Sequence, residues 1–159
     1  MTNMPVRFSI DAKGTGKFKS EILVTMEEPY STSFELTTDE GQYHGGDAGA
    51  PTPLATFAAS LGACLLTQIR AFSRRLGIPV ETARVHGTFE WTAVTDGPRK
   101  PYEARPDSIA ISVDLDTDAP PDDVRRLMEA AEKGCFVAQT VVRATPMSHR
   151  IFIRGEELD

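Results

Sequence analysis

The fold is decided by residues 51–79, PTPLATFAASLGACLLTQIRAFSRRLGIP, the longest periodic segment of the 159-residue sequence. Its apolar side chains recur at the spacing of one helical face: Phe57, Ala58, Leu61, Leu65, Ile69, Phe72 and Leu76. Thr52 suits the N-cap, Pro53 suits the first turn, and Gly77 and Pro79 end the helix. A helix of about 23 residues is about 34 Å long, as wide as a small domain, so we expect it to be central.

Shorter β-type patterns flank this helix. Before it, residues 6–10, 17–26 and 30–38 form three runs separated by turn residues, which predicts an antiparallel meander. After it, residues 80–94 and 109–115 alternate apolar and polar side chains with a period of two. This pattern predicts two long paired strands joined by a polar connection at residues 95–107.

A second helix is expected after Asp118, with Asp118 or a neighbouring residue as its N-cap. Asp122 and Asp123 supply the acidic first turn that the helix dipole favours, and Gly134 interrupts the helix. Residues 135–142 fit a short helix or a strand, and residues 148–154 fit a last strand. The order β-β-β-α-β-β-α-β indicates a single α+β domain over residues 1–159, with antiparallel sheet rather than a doubly wound one.

Charge and patterning narrow the possible partners. A net charge of -6 and a pI near 5.1 disfavour nucleic acid and anionic membranes, because both attract cationic surfaces. No uninterrupted apolar run reaches about 18 residues, and the first residues lack the pattern of a signal peptide. Arg70, Arg74 and Arg75 also oppose a membrane-spanning role for the long helix. We expect a cytoplasmic protein with no nucleic acid and no membrane partner.

The cysteines Cys64 and Cys135 are the candidates for chemistry. They lack the C-x-x-C spacing and are too few for a disulfide-stapled secreted fold. Cys64 lies beside Leu61 and Gln68 in the apolar helix, where a free cysteine is more often a buried small hydrophobe. Cys135 follows a glycine break, and at the first turn of a new helix exposed N–H groups would lower the pKa of its thiol.

The sequence predicts no metal site and no cofactor. His44, His86 and His149 are far apart and share no ligand spacing with the cysteines. The sequence contains neither a dinucleotide-binding glycine motif nor a phosphate-binding loop of the Walker type.

Four segments together resemble the OsmC/Ohr superfamily of thiol-dependent peroxide-handling proteins: Gly45-Gly46, residues 50–54 (APTPL), residues 59–64 (ASLGAC) and residues 132–135 (EKGC). In that family a Gly-Gly segment and a Pro-x-Pro segment precede a long helix bearing one cysteine, and a second cysteine follows another helix. The likeness spans nearly the whole chain. It implies an OsmC-like fold in which antiparallel sheets wrap around two central helices in an intertwined homodimer.

The resemblance also implies a mechanism. Cys64 attacks an organic hydroperoxide as a thiolate and becomes a sulfenic acid, Cys135 condenses with it to a disulfide, and a dithiol reductant restores both thiols. The two residues would then meet in space, with Cα atoms within about 7 Å in the disulfide form.

Several positions depart from the family pattern. Family members that are active carry a glutamate after the proline, where this chain has Leu54 and Ala55, and no arginine lies between Arg7 and Arg70. Phe136 follows Cys135, where the family often has proline. The leading hypothesis is a weak or specialised peroxidase; the alternatives are a degenerate dimer that binds a small apolar ligand and an accessory dimer in which the cysteines are only core residues.

Overall fold

The computed structural model of the protein describes residues 3–143 and 145–158. The elements along the chain are β1 (Arg7–Gly14), β2 (Ser20–Glu28), β3 (Thr32–Thr38), a 3-10 turn (Gln42–His44), α1 (Pro53–Leu76), β4 (Thr82–Val94), β5 (Glu103–Asp116), α2 (Pro121–Gly134), α3 (Phe136–Val142), β6 (Ile151–Ile153) and β7 (Glu156–Leu158). The chain divides into two compact units between Ser60 and Leu61. Mixed α and β structure with antiparallel pairing is as expected.

The first unit contains a three-stranded antiparallel sheet in the order β1-β2-β3, which confirms the predicted meander. Ile10 lies opposite Val24, and Val24 lies opposite Phe34. Because side chains alternate between faces, one face of the sheet is almost wholly apolar. It carries Phe8, Ile10, Ala12, Ile22, Val24, Met26, Phe34 and Leu36. This face, called the apolar sheet face below, remains largely exposed, with Ile10 71% and Phe34 55% accessible.

The second unit places its core between helices and a long hairpin. The buried residues of this core are Leu65, Ile69, Ile78, Leu127, Ala131 and Cys135. The predicted pair β4 and β5 is confirmed as antiparallel, and its inward positions Ala83, Val85, Val113 and Leu115 pack on that core. The α2 helix contributes Leu127 and Ala131 from its apolar side.

The α1 helix begins and ends where the sequence predicted. The N–H of Ala55 donates to Thr52 Oγ1 at 3.2 Å, and Gly77 adopts a left-handed φ of 67° just after the last turn. Among the described residues α1 is also the one helix with the length and mean hydropathy of a membrane span, 1.3 over 18 residues. Core helices of soluble proteins share these properties, and α1 buries Leu61, Leu65 and Ile69.

Two details of the prediction for the middle of the chain were wrong. The β5 strand begins at Glu103, so the connection between the paired strands is shorter than the predicted residues 95–107. A bulge after Glu90 lets Trp91 pair with Pro106, which extends the ladder of paired residues. Asp118 does not cap α2, which instead starts at Pro121 behind Pro120 without a side-chain cap. A proline has no N–H to be capped, so the first turn needs fewer acceptors.

The end of the chain is a hairpin rather than a single strand. The predicted strand at residues 148–154 is limited to β6, and β7 pairs with it in antiparallel register. Arg154 and Gly155 both have positive φ, 53° and 89°, which gives the two-residue turn that matches the twist of a hairpin. The alternative left open for residues 135–142 resolves as helix, since α3 covers all but the first of them.

Candidate active site

Cys64 lies on the part of α1 that belongs to the second unit. Its side chain is half-buried and packs against the buried core cluster. Helical geometry places Gln68 one turn later on the same face of α1. Two interpretations of this residue follow from the sequence, a small core hydrophobe and a reactive thiol, and Cys64 is less buried than Cys135.

Cys135 occupies the junction between α2 and α3 and is completely buried. Its backbone is extended, with φ -76° and ψ 103°, so it ends α2 and caps the N-terminus of α3. The N–H of Gln139 donates to the carbonyl oxygen of Cys135 at 2.9 Å. Cys135 thus lies at the N-cap of α3, immediately before the first turn in which the sequence analysis had placed it.

The structure brings the two cysteines together: Cys64 packs against the buried cluster that contains Cys135, and the two thiols are close enough to influence each other. Burial is the largest influence on the pKa of the Cys135 thiol and raises it, and contact with Cys64 raises it further. The backbone N–H groups of Ala138 and Val137 act in the opposite direction, as expected at a helix start, but do not offset burial. Cys135 is therefore held as a neutral thiol beside a more accessible one.

The groups that shift the pKa of Cys135 include neither lysine nor arginine. Leu54 is 53% exposed, and Ala55 beside it is exposed as well, so the first turn of α1 offers no carboxylate to orient a guanidinium. The thiols themselves lie in apolar surroundings, because Cys135 belongs to the buried core cluster and Cys64 packs against it.

The histidines lie away from any metal-type cluster. His44 stacks edge-on against Tyr43, and His86 faces Asp114 at 4.0 Å on the exposed side of the β4–β5 hairpin. His149 is exposed near the end of the chain. Across residues 3–143 and 145–158, no three His, Cys, Asp or Glu side chains are close enough to hold a metal ion.

The Gly45-Gly46 segment is held by a residue that sequence reasoning missed. Asp39 is buried, and its carboxylate accepts the N–H of Glu40 at 2.9 Å and the N–H of Gly49 at 3.0 Å. Gly46 packs so closely that a Cβ there would lie 2.0 Å from the carbonyl oxygen of Glu40. The glycine is required for close packing, which makes this loop a structural element rather than an anion cradle.

A groove of about 1030 Å³ lies elsewhere on the second unit, between the last turns of α1 and the start of β4. Its floor includes Ile69 and Ile78, and Arg70, Arg74 and Arg84 line its sides. Neither cysteine lines this groove. The thiol pair itself therefore remains the candidate site.

Comparison with known proteins is consistent with this geometry. The family model described as OsmC-like protein matches residues 45–150. An OsmC-like hydroperoxide resistance protein from Jannaschia sp. CCS1 is 38% identical, with 97% of each chain covered and a TM-score of 0.64. An organic hydroperoxide resistance protein from Legionella pneumophila shares the fold at 19% identity, with 87% of this chain and 90% of the other covered and a TM-score of 0.60.

A similar likeness of fold extends to an organic hydroperoxide resistance protein from Elizabethkingia anophelis. It is 14% identical, with 91% of this chain and 92% of the other covered and a TM-score of 0.60. The comparison with curated proteins gives no match.

Proposed function

Because this chain belongs to the OsmC-like family, we propose that it reduces organic hydroperoxides through a cycle of two cysteines. Cys64 is the nucleophile and Cys135 is the resolving thiol. The observation that carries the proposal is the proximity of the two cysteines at the core cluster together with their unequal burial. The less buried residue, Cys64, is the one that meets the hydroperoxide in this proposal, and the completely buried Cys135 reacts only with its neighbour.

The cycle proceeds in three steps. The Cys64 thiolate attacks the outer oxygen of the hydroperoxide, the O–O bond breaks, and the alcohol leaves after taking up a proton, which makes Cys64 a sulfenic acid. The sulfur of Cys135 then attacks that of Cys64, and the hydroxyl group leaves with the Cys135 proton as water. A small dithiol reduces the resulting disulfide and is itself oxidised.

The proximity of Cys135 protects the intermediate. A sulfenic acid is oxidised further and irreversibly unless a thiol reaches it first. Contact in the reduced state means that only a small movement separates the sulfenic acid from its resolving partner.

The names of the similar proteins support the class of substrate. The Jannaschia protein, at 38% identity, is described as a hydroperoxide resistance protein. The Legionella and Elizabethkingia proteins carry the same description for organic hydroperoxides. The reductant is a dithiol because the product is an intramolecular disulfide, and a reducing compartment such as the cytoplasm is part of this proposal.

The proposal includes a homodimer in which residues 1–159 form one domain. The chain exposes 12671 Å². Two separately folded pieces of the size of its two units would expose only about 9,400 Å² between them. The apolar sheet face is uncovered, and a sheet with one apolar face must bury it against another layer. A second copy, with its sheets around the two α1 helices, supplies that layer.

Consumption of cumene hydroperoxide tests the proposed activity. We would measure it with dithiothreitol or dihydrolipoamide as reductant, for the wild-type protein and for the Cys64→Ser and Cys135→Ser variants. We expect turnover to be abolished in the Cys64 variant, and to stop after about one cycle in the Cys135 variant unless the reductant itself attacks the sulfenic acid. Equal turnover by wild type and Cys64→Ser would contradict the proposal.

A second candidate function is the binding of a small apolar ligand without chemistry. The observation that favours it is the absence of a polar group at Leu54 and Ala55 together with the apolar setting of the thiols. Native mass spectrometry and lipid extraction of the purified protein test this function. An inert thiol pair with a copurifying apolar compound would favour it, and an empty protein would contradict it.

A further inference from the structure

We infer that Gly134 is a positioning residue. Because it has no side chain, α1 can approach the α2–α3 junction closely, and this approach sets the separation between the sulfur atoms of Cys64 and Cys135. The residue precedes Cys135 directly and ends α2. Its importance for turnover rests on the proposed two-cysteine cycle. Its effect on the thiol pair rests on geometry alone and is measurable without any hydroperoxide.

The packing around Gly134 leaves no room for a side chain. A Cβ at this position would lie 2.5 Å from Cε2 of Phe72, 2.9 Å from Cζ of the same ring and 3.3 Å from Oε1 of Gln68. Carbon atoms in contact are ordinarily about 3.5–4.0 Å apart. The ring of Phe72 therefore rests directly on the backbone of the α2–α3 junction.

The contacts at Gly134 and the thiol contact come from one face of α1. Cys64, Gln68 and Phe72 follow one another at intervals of four residues, so they form a row along the helix. Phe72 and Gln68 meet Gly134, and Cys64 meets Cys135, the next residue. The contact between the Phe72 ring and Gly134 therefore sets the distance between this face of α1 and the α2–α3 junction.

The backbone conformation at position 134 does not explain why a glycine is found there. Gly134 has helical backbone rather than the left-handed φ found at Gly77. Glycine is less favourable than alanine inside a helix, so a glycine with helical dihedrals needs another reason. The space taken by Phe72 supplies that reason.

Two contacts restrain the ring of Phe72, which is half-buried. It packs against the buried core cluster, and the guanidinium of Arg75 lies over it at 5.4 Å from the ring centre. An added methyl group at Gly134 would therefore move the α2–α3 junction, by about 1 Å if ordinary carbon contacts are restored. A disulfide tolerates only a narrow range of Cα separations, about 4.4–6.8 Å, so such a shift strains or prevents it.

The test is the thiol–disulfide equilibrium of the full-length protein in mixtures of reduced and oxidised dithiothreitol, read by maleimide labelling and mass spectrometry. For Gly134→Ala we expect the equilibrium constant for the Cys64–Cys135 disulfide to fall at least about tenfold, which corresponds to about 30 mV in reduction potential. Phe72→Leu removes the two ring atoms that the new methyl group would meet. The double variant should therefore return to within about threefold of wild type, as coupled neighbours do.

Lys133→Ala is the matched control, because Lys133 is exposed and adjacent to Gly134 on α2. It should leave the equilibrium unchanged. An equilibrium for Gly134→Ala within about threefold of wild type, or a double variant no better than Gly134→Ala, would overturn the inference. If Gly134→Ala does not fold, recovery of both fold and equilibrium in the double variant supports the inference, and failure to recover overturns it.

The two proposals fail in different ways. A protein that ignores cumene hydroperoxide but shows the loss and rescue of its disulfide would reject the proposed activity and keep Gly134 as a positioning residue. An active peroxidase whose disulfide is indifferent to Gly134→Ala would do the reverse.

Discussion

Cys64 packs against the buried cluster that contains Cys135, and the two thiols influence each other although they belong to different helical regions of the chain. Cys64 is half-buried and Cys135 is completely buried. The pair thus combines an accessible nucleophile with a protected resolving thiol. Burial, and not a neighbouring cation, determines the acidity of the inner thiol.

The raised pKa of Cys135 predicts a loss of stability in alkali. Burial raises this pKa in the folded state, so above the ordinary thiol pKa the unfolded chain binds fewer protons than the folded protein. The free energy of unfolding should therefore be fully maintained at neutral pH and should decline as the pH rises from the ordinary thiol pKa through the raised one. Urea unfolding of the reduced protein at a series of alkaline pH values measures the slope.

Cys135→Ala supplies the control for this prediction, because it lacks the titrating group. Its stability should decline less steeply over the same alkaline range. Identical slopes for the two proteins would show that Cys135 titrates alike in the folded and unfolded states, contrary to its burial.

Thr52→Ala should lower the stability of the protein by about 1 kcal/mol, because Thr52 Oγ1 accepts the N–H of Ala55 at the start of α1. Thr67 provides a comparison on the same helix. Its hydroxyl donates to the carbonyl oxygen of Ala63 at 2.9 Å and caps nothing, so Thr67→Ala should change stability by less than about 0.5 kcal/mol. Urea unfolding midpoints of the two variants measure these changes. Equal losses of stability in the two variants would contradict the capping role of Thr52.

Gly46→Ala should destabilise the loop before α1 by about 1–3 kcal/mol, since the new methyl group overlaps the carbonyl of Glu40. Gly41 lies five positions earlier, and a methyl group on its Cα would meet no other atom within 4 Å. Gly41→Ala is therefore the matched control and should be nearly neutral. Thermal unfolding of both variants measures the difference, and a Gly46→Ala protein as stable as the control would refute the close approach.

Phe34→Glu should weaken the proposed homodimer by at least tenfold, because it places a charge on the apolar sheet face. Wild type should elute with a mass of about 35 kDa, twice the chain mass of 17.4 kDa. Ser33→Glu, on the opposite face of β3, should remain dimeric. Light scattering during size-exclusion chromatography gives these masses. A wild-type mass of one chain at micromolar concentration would contradict the dimer.

The sequence predicted the elements that depend on local patterns. The stripe in α1, the cap at Thr52 and the alternation in β4 and β5 are each readable from neighbouring residues, and the structure confirms them. The β6–β7 hairpin was missed because Arg154 is an unusual residue for a position with positive φ. The predicted side-chain cap of α2 was wrong because α2 begins at Pro121, directly after Pro120, and a proline has no N–H that a capping side chain could accept.

The site was predictable only in part. The resemblance pointed to Cys64 and Cys135, and their chemical roles remain a prediction. Composition could not show that the two thiols meet, because this depends on how α1 packs against the α2–α3 junction. The glycine before Cys135 was interpreted as a helix break, whereas its contact with Phe72 shows that it also permits the close packing of two helices.

The most direct test of the two-cysteine cycle is the mass of the reduced protein after one equivalent of cumene hydroperoxide, followed by peptide mapping without reduction. We predict the loss of two hydrogen atoms per chain and a single disulfide that joins Cys64 to Cys135. If both thiols remain free to alkylate, or if Cys64 gains oxygen while Cys135 stays reduced, the two cysteines do not form the proposed cycle.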